Sequence, residues 1–386
     1  MLDLVWHQRT KDIPDAVWAD CFGLPHEGLF WFRALEAAGI ENQFTFFFGL
    51  LHDGGAPIGI VPAFVFDLPL ALVLPDAIAG IAARVERSLL RRFGRVRTFF
   101  IGSVAGEEGY IGLARSYRLR DVVGVVHAAA RRQASKSGAA LLVWKDFPEA
   151  DRDALDTLTD LTGAFRIPSY PGSSIALMRG GYETYLRTVS SQRRHKMRKR
   201  LSRGAAMLPL TTTVVRQPSA AQLREIYALY EQTYRHGTTK FERMTPQFFA
   251  EIAKFDGATF IVQHHRETGR MLCFMLLFDL GERVINQFIG IDYASASGGF
   301  AYFQLFASAY DWASTTGARA MQSGQTGYMA KLESGHALVP LWNWCEHHNA
   351  AVNRIFRTMA QRITWDTLDE QLREWLVAHP RALPPT

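Results

Sequence analysis

The sequence has few cysteines, and no two of them are close together. Cys21, Cys273 and Cys345 are far apart, and no CxxC motif is present. Disulfide frameworks and zinc ribbons need closely spaced pairs, so neither is expected. The chain also lacks a basic and apolar leader at its start, which argues against a signal peptide. Together these absences predict a cytoplasmic protein.

An uninterrupted apolar run long enough for a membrane helix is also missing. The most apolar stretch, Pro57–Ile81, contains four prolines and two aspartates. Proline interrupts helices and a buried charge is costly in lipid, so this stretch is expected to form strands and turns in a core. No transmembrane segment is predicted.

Acidic residues are absent from one long segment. Between Glu183 and Glu225 there is no Asp or Glu, but there are ten Lys and Arg residues. The formal net charge of the chain is +6, so this segment alone accounts for the positive excess. Arg193, Lys196 and Arg200 are spaced to form one stripe of a helix predicted over Tyr182–Leu201. The stripe predicts a phosphate-binding surface, with a solvated helix face as the alternative.

The length predicts two domains, because 386 residues exceed the roughly 250–300 that one core usually accommodates. The second half reads as helix, strand, two helices, three antiparallel strands, helix and strand. The predicted meander strands are Ala258–His264, Arg270–Asp279 and Arg283–Ile291. The first half repeats a looser version of this pattern. We therefore expect an α/β (α+β) fold of two lobes, each a mixed, largely antiparallel sheet flanked by helices.

Two polar, glycine-containing segments follow predicted strands in the second half. Ser297, Gly298 and Gly299 open a predicted helix, where free backbone N–H groups can bind a pyrophosphate. The segment Gln322–Gly335 places the amides of Gln322 and Gln325 near the ammonium group of Lys331, as recognition of a polar substrate requires. A plain turn and a surface loop are the respective alternatives.

A family resemblance rests on three of these regions. They are Ser191-Gln192-Arg193-Arg194-His195-Lys196, then Leu229-Tyr230-Glu231-Gln232-Thr233-Tyr234, and finally Gly324-Gln325 with Lys331 and Gly335. This region, about 182–349, resembles the GCN5-related N-acetyltransferase (GNAT) superfamily in its FemAB-like and BioF2-like acyltransferase branch. Members of the branch include peptidoglycan-biosynthesis-like proteins. The resemblance implies a degenerate GNAT-like lobe at 1–170, a GNAT acyltransferase domain at 171–349 and a helical tail at 350–386.

The resemblance implies transfer of an acyl group to an amine by an enzyme without a metal. The candidate base is Asp292, for which a capping aspartate is the alternative, and Tyr302 and Tyr328 are candidate acids. Gln325 and Lys331 are expected to contact substrate. The donor's phosphates are expected between the Gly298-Gly299 loop and the basic stripe.

The donor is left open by the sequence. The pyrophosphate signature of acetyl-CoA-dependent relatives is absent, since only Gly298-Gly299 stands at that place. Acyl-CoA, an acyl carrier protein and an aminoacyl-tRNA therefore stay open as donors, and the expected acceptor is a small amine. A second hypothesis is a non-catalytic module whose basic helix, residues 186–203, binds RNA or a membrane surface.

Overall fold

The computed structural model describes residues 1–69, 94–237, 241–295 and 299–384. Its strands are β1 (Leu2–His7), β2 (Thr45–Asp53), β3 (Ala56–Pro69), β4 (Arg95–Ile101), β5 (Gly112–Leu113), β6 (Leu141–Pro148), β7 (Phe165–Pro168), β8 (Gly172–Ala176), β9 (Leu210–Val215), β10 (Ala258–His265), β11 (Met271–Asp279), β12 (Arg283–Ile291), β13 (Ala320–Gln322), β14 (Ala337–Val339) and β15 (Leu341–His347). Its helices are α1 (Asp15–Cys21), α2 (Leu29–Ala37), α3 (Leu119–Lys136), α4 (Arg152–Thr162), α5 (Gly181–Thr188), α6 (Ser191–Met207), α7 (Ala220–His236), α8 (Pro246–Ile252), α9 (Gly299–Ala313), α10 (Tyr328–Ser334), α11 (Ala350–Ala360), α12 (Trp365–Leu368) and α13 (Glu370–Ala378).

The chain divides into two compact units that are discontinuous in sequence. The first comprises Met1–Gly23, Ile40–Pro171 and Val339–Thr386, and the second comprises Leu24–Gly39 and Gly172–Leu338. The chain passes from the first unit to the second between Pro171 and Gly172. The structure in addition assigns α2 to the second unit and the C-terminal residues to the first.

The segment carrying α2 joins the second unit through aromatic packing. The ring of Phe30 stacks on Phe255 at 3.7 Å, and Trp31 packs edge-on against Phe248 and Phe278. These contacts are between residues more than 200 positions apart, so no local sequence pattern indicates them.

The first unit contains a sheet in the order β1-β2-β3-β4-β6-β15-β7, with β5 paired to β3. Strands β1 to β4 form an antiparallel meander. Helix α3 then connects β4 to β6, and these two strands pair in parallel. The apolar stretch that begins at Pro57 forms β3 as far as Pro69, and its remainder lies outside the described residues.

The second unit repeats this topology in the order β14-β8-β13-β12-β11-β10-β9. Strands β9 to β12 form the antiparallel meander, and α9 connects β12 to the parallel strand β13. The three predicted meander strands are confirmed to within a residue at their ends. The predicted fold class, an α/β fold of two lobes that are each built on a mixed, largely antiparallel sheet, is also confirmed.

Helices cover both faces of the second sheet. Residues of α5, α6 and α9, among them Tyr182, Met197 and Phe306, pack with Met275 and Val284 in one core cluster. On the opposite face, side chains of α7 and α8 pack on Phe288, whose ring lies 5.7 Å from Tyr230 and 5.6 Å from Phe248. The sheet therefore positions its central strands between two buried layers.

The prediction of a single basic helix over Tyr182–Leu201 is wrong. The structure has two helices, α5 and α6, separated by an extended residue, Val189. The Ser190 hydroxyl accepts a hydrogen bond from the Arg193 backbone N–H at 3.3 Å and caps α6. A serine in an N-cap satisfies a helix donor, which explains why a new helix begins here.

In the described part of the chain, we find no helix with the length and apolarity needed to cross a membrane.

The glycines flanking α10 give a test of how closely this helix packs against Tyr185. Gly327 and Gly335 both have positive φ, at 65° and 114°. A Cβ at Gly335 would overlap the hydroxyl of Tyr185, which donates to the Gly335 carbonyl, whereas a Cβ at Gly327 meets nothing within 4 Å. We expect Gly335→Ala to lower the free energy of unfolding by about 3 kcal/mol and Gly327→Ala by about 1 kcal/mol. Urea denaturation measures both, and equal losses would show that Tyr185 does not restrict α10.

Candidate active site

The central feature of the second unit is a pair of parallel strands that separate early. Residues Arg283–Ile285 of β12 pair with Ala320–Gln322 of β13, and the pairing ends there. Strand β12 nevertheless continues to Ile291, still paired with β11 on its other side. Among the described residues, no strand follows β12 on the β13 side beyond Ile285. The Ile291 N–H donates to the Thr233 hydroxyl at 3.0 Å, and the remaining backbone groups along this edge can receive a ligand.

A β-bulge lies where the strands separate. Leu277 of β11 faces Asn286, while its neighbour Leu276 faces Phe288, so the register skips Gln287. A bulge bends a strand and redirects its side chains, and bulges are common beside active sites. The bulge in β12 thus turns the strand at the mouth of the cleft, which we define as the space between residues 286–291 and the Ser323–Gly327 loop.

Three buried polar side chains form a hydrogen-bonded chain at this cleft. The Asn286 amide donates to the Ser323 hydroxyl at 3.4 Å, and Ser323 Oγ lies 3.0 Å from His336 Nε2. His336 Nδ1 lies 2.9 Å from the Lys331 carbonyl oxygen, which can only accept. Nδ1 therefore carries the proton and Nε2 accepts from Ser323. The hydroxyl proton of Ser323 is held by His336, which leaves a lone pair of the oxygen for another donor.

His336 is neutral at physiological pH. Burial and the nearby positive charge of Lys331 lower its pKa from 6.5 to about 3. Its side chain is only 4% exposed, and that of Ser323 only 3%. A neutral imidazole with a fixed tautomer holds the serine hydroxyl in one orientation.

The three predicted substrate residues occupy different environments. The Gln322 side-chain oxygen accepts from Arg283 at 2.7 Å, so this amide belongs to the base of the strand pair. The Gln325 amide nitrogen is buried and has no hydrogen-bond partner among the described residues. Lys331 lies on α10 and acts electrostatically on His336. Gln325 and Lys331 are thus associated with the cleft, while Gln322 is held away from it; their contact with substrate remains a prediction.

Of the two predicted acids, one is fully buried and the other is partly buried with a buried hydroxyl. Tyr328, at the start of α10, is fully buried. Tyr302 lies in the first turn of α9, and its hydroxyl is buried without a hydrogen-bond partner in the described chain. Burial raises the pKa of Tyr302 far above its ordinary value, so this hydroxyl remains protonated. A catalytic role for Tyr302 or Tyr328 remains a prediction. The Tyr302 hydroxyl is a hydrogen-bond donor that no other described residue uses.

Asp292, the predicted base, follows β12 directly and is 1% exposed. One carboxylate oxygen pairs with Arg270 at 2.5 Å. The other accepts from the backbone N–H groups of Ala294 and Ser295 at 3.0 and 3.3 Å. These contacts support the capping alternative, since they use both oxygens to shape the turn; a role as base remains a prediction.

The predicted donor loop is only partly described. Ser297 and Gly298 lie outside the described residues, and Gly299 begins α9. In the same described part of the chain, no group of His, Cys, Asp or Glu side chains could hold a metal ion.

The basic stripe of α6 lies against α10. Lys196 and Arg200 pair with the two oxygens of Glu333 at 2.8 and 2.5 Å, and Arg193 donates to the Leu332 carbonyl at 3.3 Å. Burial alone would raise the pKa of Glu333, but hydrogen bonds from Arg200 and Lys196 lower it overall. Phosphate binding by these three residues remains a prediction. In this structure Lys196 and Arg200 form ion pairs with Glu333 instead.

Ser323 and His336 are residues that the sequence analysis did not single out. Ser323 was within the polar segment Gln322–Gly335, whereas His336 follows directly after it. A lone serine and a lone histidine thirteen positions apart carry no motif, so only the fold identifies the pair.

Comparison with known proteins agrees with this geometry. Residues 191–330 match the family model described as an acetyltransferase (GNAT) domain. The structure is similar to that of FemX, with a TM-score of 0.57 and 12% identity over 92% of this chain and 100% of that one. It is also similar to L-PGS from Bacillus licheniformis, with a TM-score of 0.55 and 11% identity over 92% and 98% of the two chains. No curated protein matches the sequence.

These comparisons confirm the family resemblance and the enzyme class. Residues 191–330 match an acetyltransferase (GNAT) domain, and the two solved structures share the fold of the chain. The matched region contains β12, α9 and β13, the elements that form the cleft, as well as the basic helix α6.

The contact between Glu333 and the basic stripe predicts a change in polyanion binding. Glu333→Gln should release Lys196 and Arg200, so the variant should leave a heparin column at higher salt than wild type. The matched control is Glu251→Gln, which removes a carboxylate that pairs with Lys254 at 2.7 Å elsewhere in the second unit. Equal shifts for the two variants would show that net charge, not the stripe, governs retention.

The buried His336 predicts a pH dependence of stability. Below pH 6.5 the unfolded chain gains a proton at this residue that the folded chain takes up only near pH 3. The contribution of neutral His336 to the free energy of unfolding is therefore complete above pH 6.5 and is lost as the pH falls. The stability gap between wild type and His336→Asn should narrow by about 1 kcal/mol per pH unit below about pH 6, measured by urea denaturation.

The control is His195→Gln, which replaces an exposed histidine of α6. Its stability should follow the wild-type curve. A constant gap for His336→Asn across the same range would contradict the buried neutral state of His336.

Proposed function

We propose that this protein is an N-acyltransferase, which moves an acyl or aminoacyl group from a thioester or aminoacyl-ester donor to an amine acceptor. The observation that carries the proposal is the open edge of β12 beside Ser323, His336 and Lys331 in a GNAT domain. In the reaction the amine nitrogen attacks the donor carbonyl, a C–N bond forms, and the C–S or C–O bond of the donor breaks.

The open edge of β12 supplies what the carbonyl requires. Negative charge develops on the carbonyl oxygen during attack, and fixed N–H groups stabilise it without reorganisation. Residues 286–290 offer such groups because β13 no longer pairs with them, whereas the Ile291 N–H donates to Thr233. The ammonium group of Lys331, on the helix that follows the cleft, adds positive charge on the same side.

Ser323 orients the attacking amine in this proposal. Since His336 holds the hydroxyl proton, the remaining lone pair of Ser323 can accept an N–H of the incoming amine. Holding the nucleophile in line with the carbonyl contributes to rate through orientation alone. His336 is too weak a base to take the proton, because its pKa is about 3. The amine therefore reaches the cleft uncharged, and its proton passes to water.

Tyr302 serves as the acid toward the leaving group. Its hydroxyl remains protonated and is not used by another side chain of the described residues. An alkoxide that leaves the carbonyl is basic enough to take the proton of this phenol, and the tyrosinate then regains, through water, the proton that the amine releases. A thiolate is a weaker base than the tyrosinate and leaves without a proton.

The donor class includes acyl-CoA, acyl carrier protein and aminoacyl-tRNA. Aminoacyl donors gain support from the shared fold with FemX and with L-PGS, an aminoacyl-phosphatidylglycerol synthase. The exposed charges of α6 suit the phosphates of any of these donors. All three donors occur in the cytoplasm, where we place the protein.

The donor can be identified directly. A thermal-shift panel of CoA thioesters and charged tRNAs should raise the unfolding temperature for one class, because a ligand that binds only the folded state stabilises it. Native mass spectrometry of freshly purified protein would detect a retained thioester. If neither class of donor stabilises the protein, the proposal is contradicted, and an anion-binding module becomes the better account.

With that donor in hand, two variants test the cleft. Ser323→Ala and Lys331→Ala should each lower kcat by about a hundredfold or more, because each removes a fixed polar group from the reacting atoms. The control is Lys254→Ala, which removes a cation that pairs with Glu251 on the surface.

Steady-state turnover and a thermal unfolding curve are measured for each variant. Folded Lys331→Ala protein should retain its binding to heparin. Full activity of both folded cleft variants would place the chemistry elsewhere.

A further inference from the structure

A second pocket lies in the first unit, in a region that the proposed reaction does not use. Helices α4 and α11 form its walls, and residues of β7 and β15 form its floor. Its volume is about 560 Å³, which is in the range of pockets that bind small molecules.

The two walls are fixed to each other. The side-chain amide of Asn353, in α11, donates to the Gly163 carbonyl at the end of α4 at 2.9 Å. Its oxygen accepts from the His347 backbone N–H, at the end of β15, at 2.8 Å. The pocket is therefore formed before any ligand arrives, which lowers the entropic cost of binding.

The charges on the floor of the pocket are already neutralised. The Arg166 guanidinium lies 4.5 Å from the centre of the Trp342 ring and donates to Asp156 at 2.7 Å. Asp156 also accepts from the Trp344 indole at 2.9 Å. This partly exposed ion pair contacts two indole rings and forms the floor, so the ligand's charges must be met by other residues.

The walls carry two further charges of opposite sign. Asp160 on α4 and Arg357 on α11 both line the pocket, and both are exposed. Within the described ranges, neither makes a hydrogen bond or an ion pair, with each other or with another residue. Apolar side chains of Phe165 and Ile363 lie in the same lining. The pocket thus offers an anion on one wall, a cation on the other and apolar surface with them.

We propose that this pocket binds a small zwitterion, an α-amino acid or a short peptide. Its ammonium group pairs with Asp160 and its carboxylate with Arg357, while an apolar side chain contacts Phe165 and Ile363. Charge-assisted hydrogen bonds at both ends distinguish this ligand from a simple anion or cation. A guanidinium group can bind a carboxylate through two parallel hydrogen bonds, which fixes the orientation of the ligand.

Calorimetric titration of the full chain tests the proposal. L-Phenylalanine and L-alanyl-L-phenylalanine are the zwitterionic probes. N-acetyl-L-phenylalanine lacks the ammonium group, and L-phenylalaninamide lacks the carboxylate. At least one zwitterion should bind. The dissociation constant of each blocked compound should be about tenfold higher or more, since each loses a hydrogen bond between charged groups.

Variants assign the two ends of the ligand. Asp160→Asn should remove the preference over the N-acetyl compound, and Arg357→Gln should remove the preference over the amide. The matched controls are Asp153→Asn and Arg354→Gln, exposed charges on the same helices that do not line the pocket.

Absence of binding by both zwitterions would overturn the proposal, as would equal binding of the blocked compounds. Equal effects of the control variants would also overturn it. These readouts are binding constants, so they do not depend on the acyltransferase activity.

Discussion

The candidate site depends on one constraint, the early end of pairing between β12 and β13. The parallel strands share only three residue pairs, and no strand among the described residues pairs with β12 on that side afterwards. A sheet interior normally satisfies its backbone groups with neighbouring strands, so an unpaired edge within it is available to a ligand. The bulge that skips Gln287 and the chain Asn286–Ser323–His336 both lie at this point.

Helix α10 is held in place by tyrosines and by the basic helix. The hydroxyls of Tyr182 and Tyr185, on α5, donate to the carbonyl oxygens of Ser334 and Gly335. Lys196 and Arg200 of α6 pair with Glu333. Because α10 also carries Lys331, the residues predicted to bind the donor's phosphates contact the helix that carries the predicted substrate residue. Donor binding at these residues, as proposed, would therefore be physically connected to the position of Lys331.

Sequence reasoning located the strands of the second unit but only part of the site. The meander was predictable because apolar runs such as Met271–Asp279 are bounded by Gly-containing turns. The polar segment after β13 was predictable because Gln322, Gln325 and Lys331 lie close together in sequence. The break before Ser191 was missed, since a continuous basic stripe hides a capping serine. The pairing of Ser323 with His336, and the assignment of α2 to the second unit, depend on tertiary contacts that no local pattern records.

The most direct test of the account is a crystal structure of the protein with its identified acyl donor, in the form of a non-reactive thioether or amide analogue. The account predicts that the carbonyl of the analogue lies in the cleft, within hydrogen-bond distance of the backbone of residues 286–291 and beside Ser323. An analogue bound elsewhere, with this cleft closed by side chains, would contradict it.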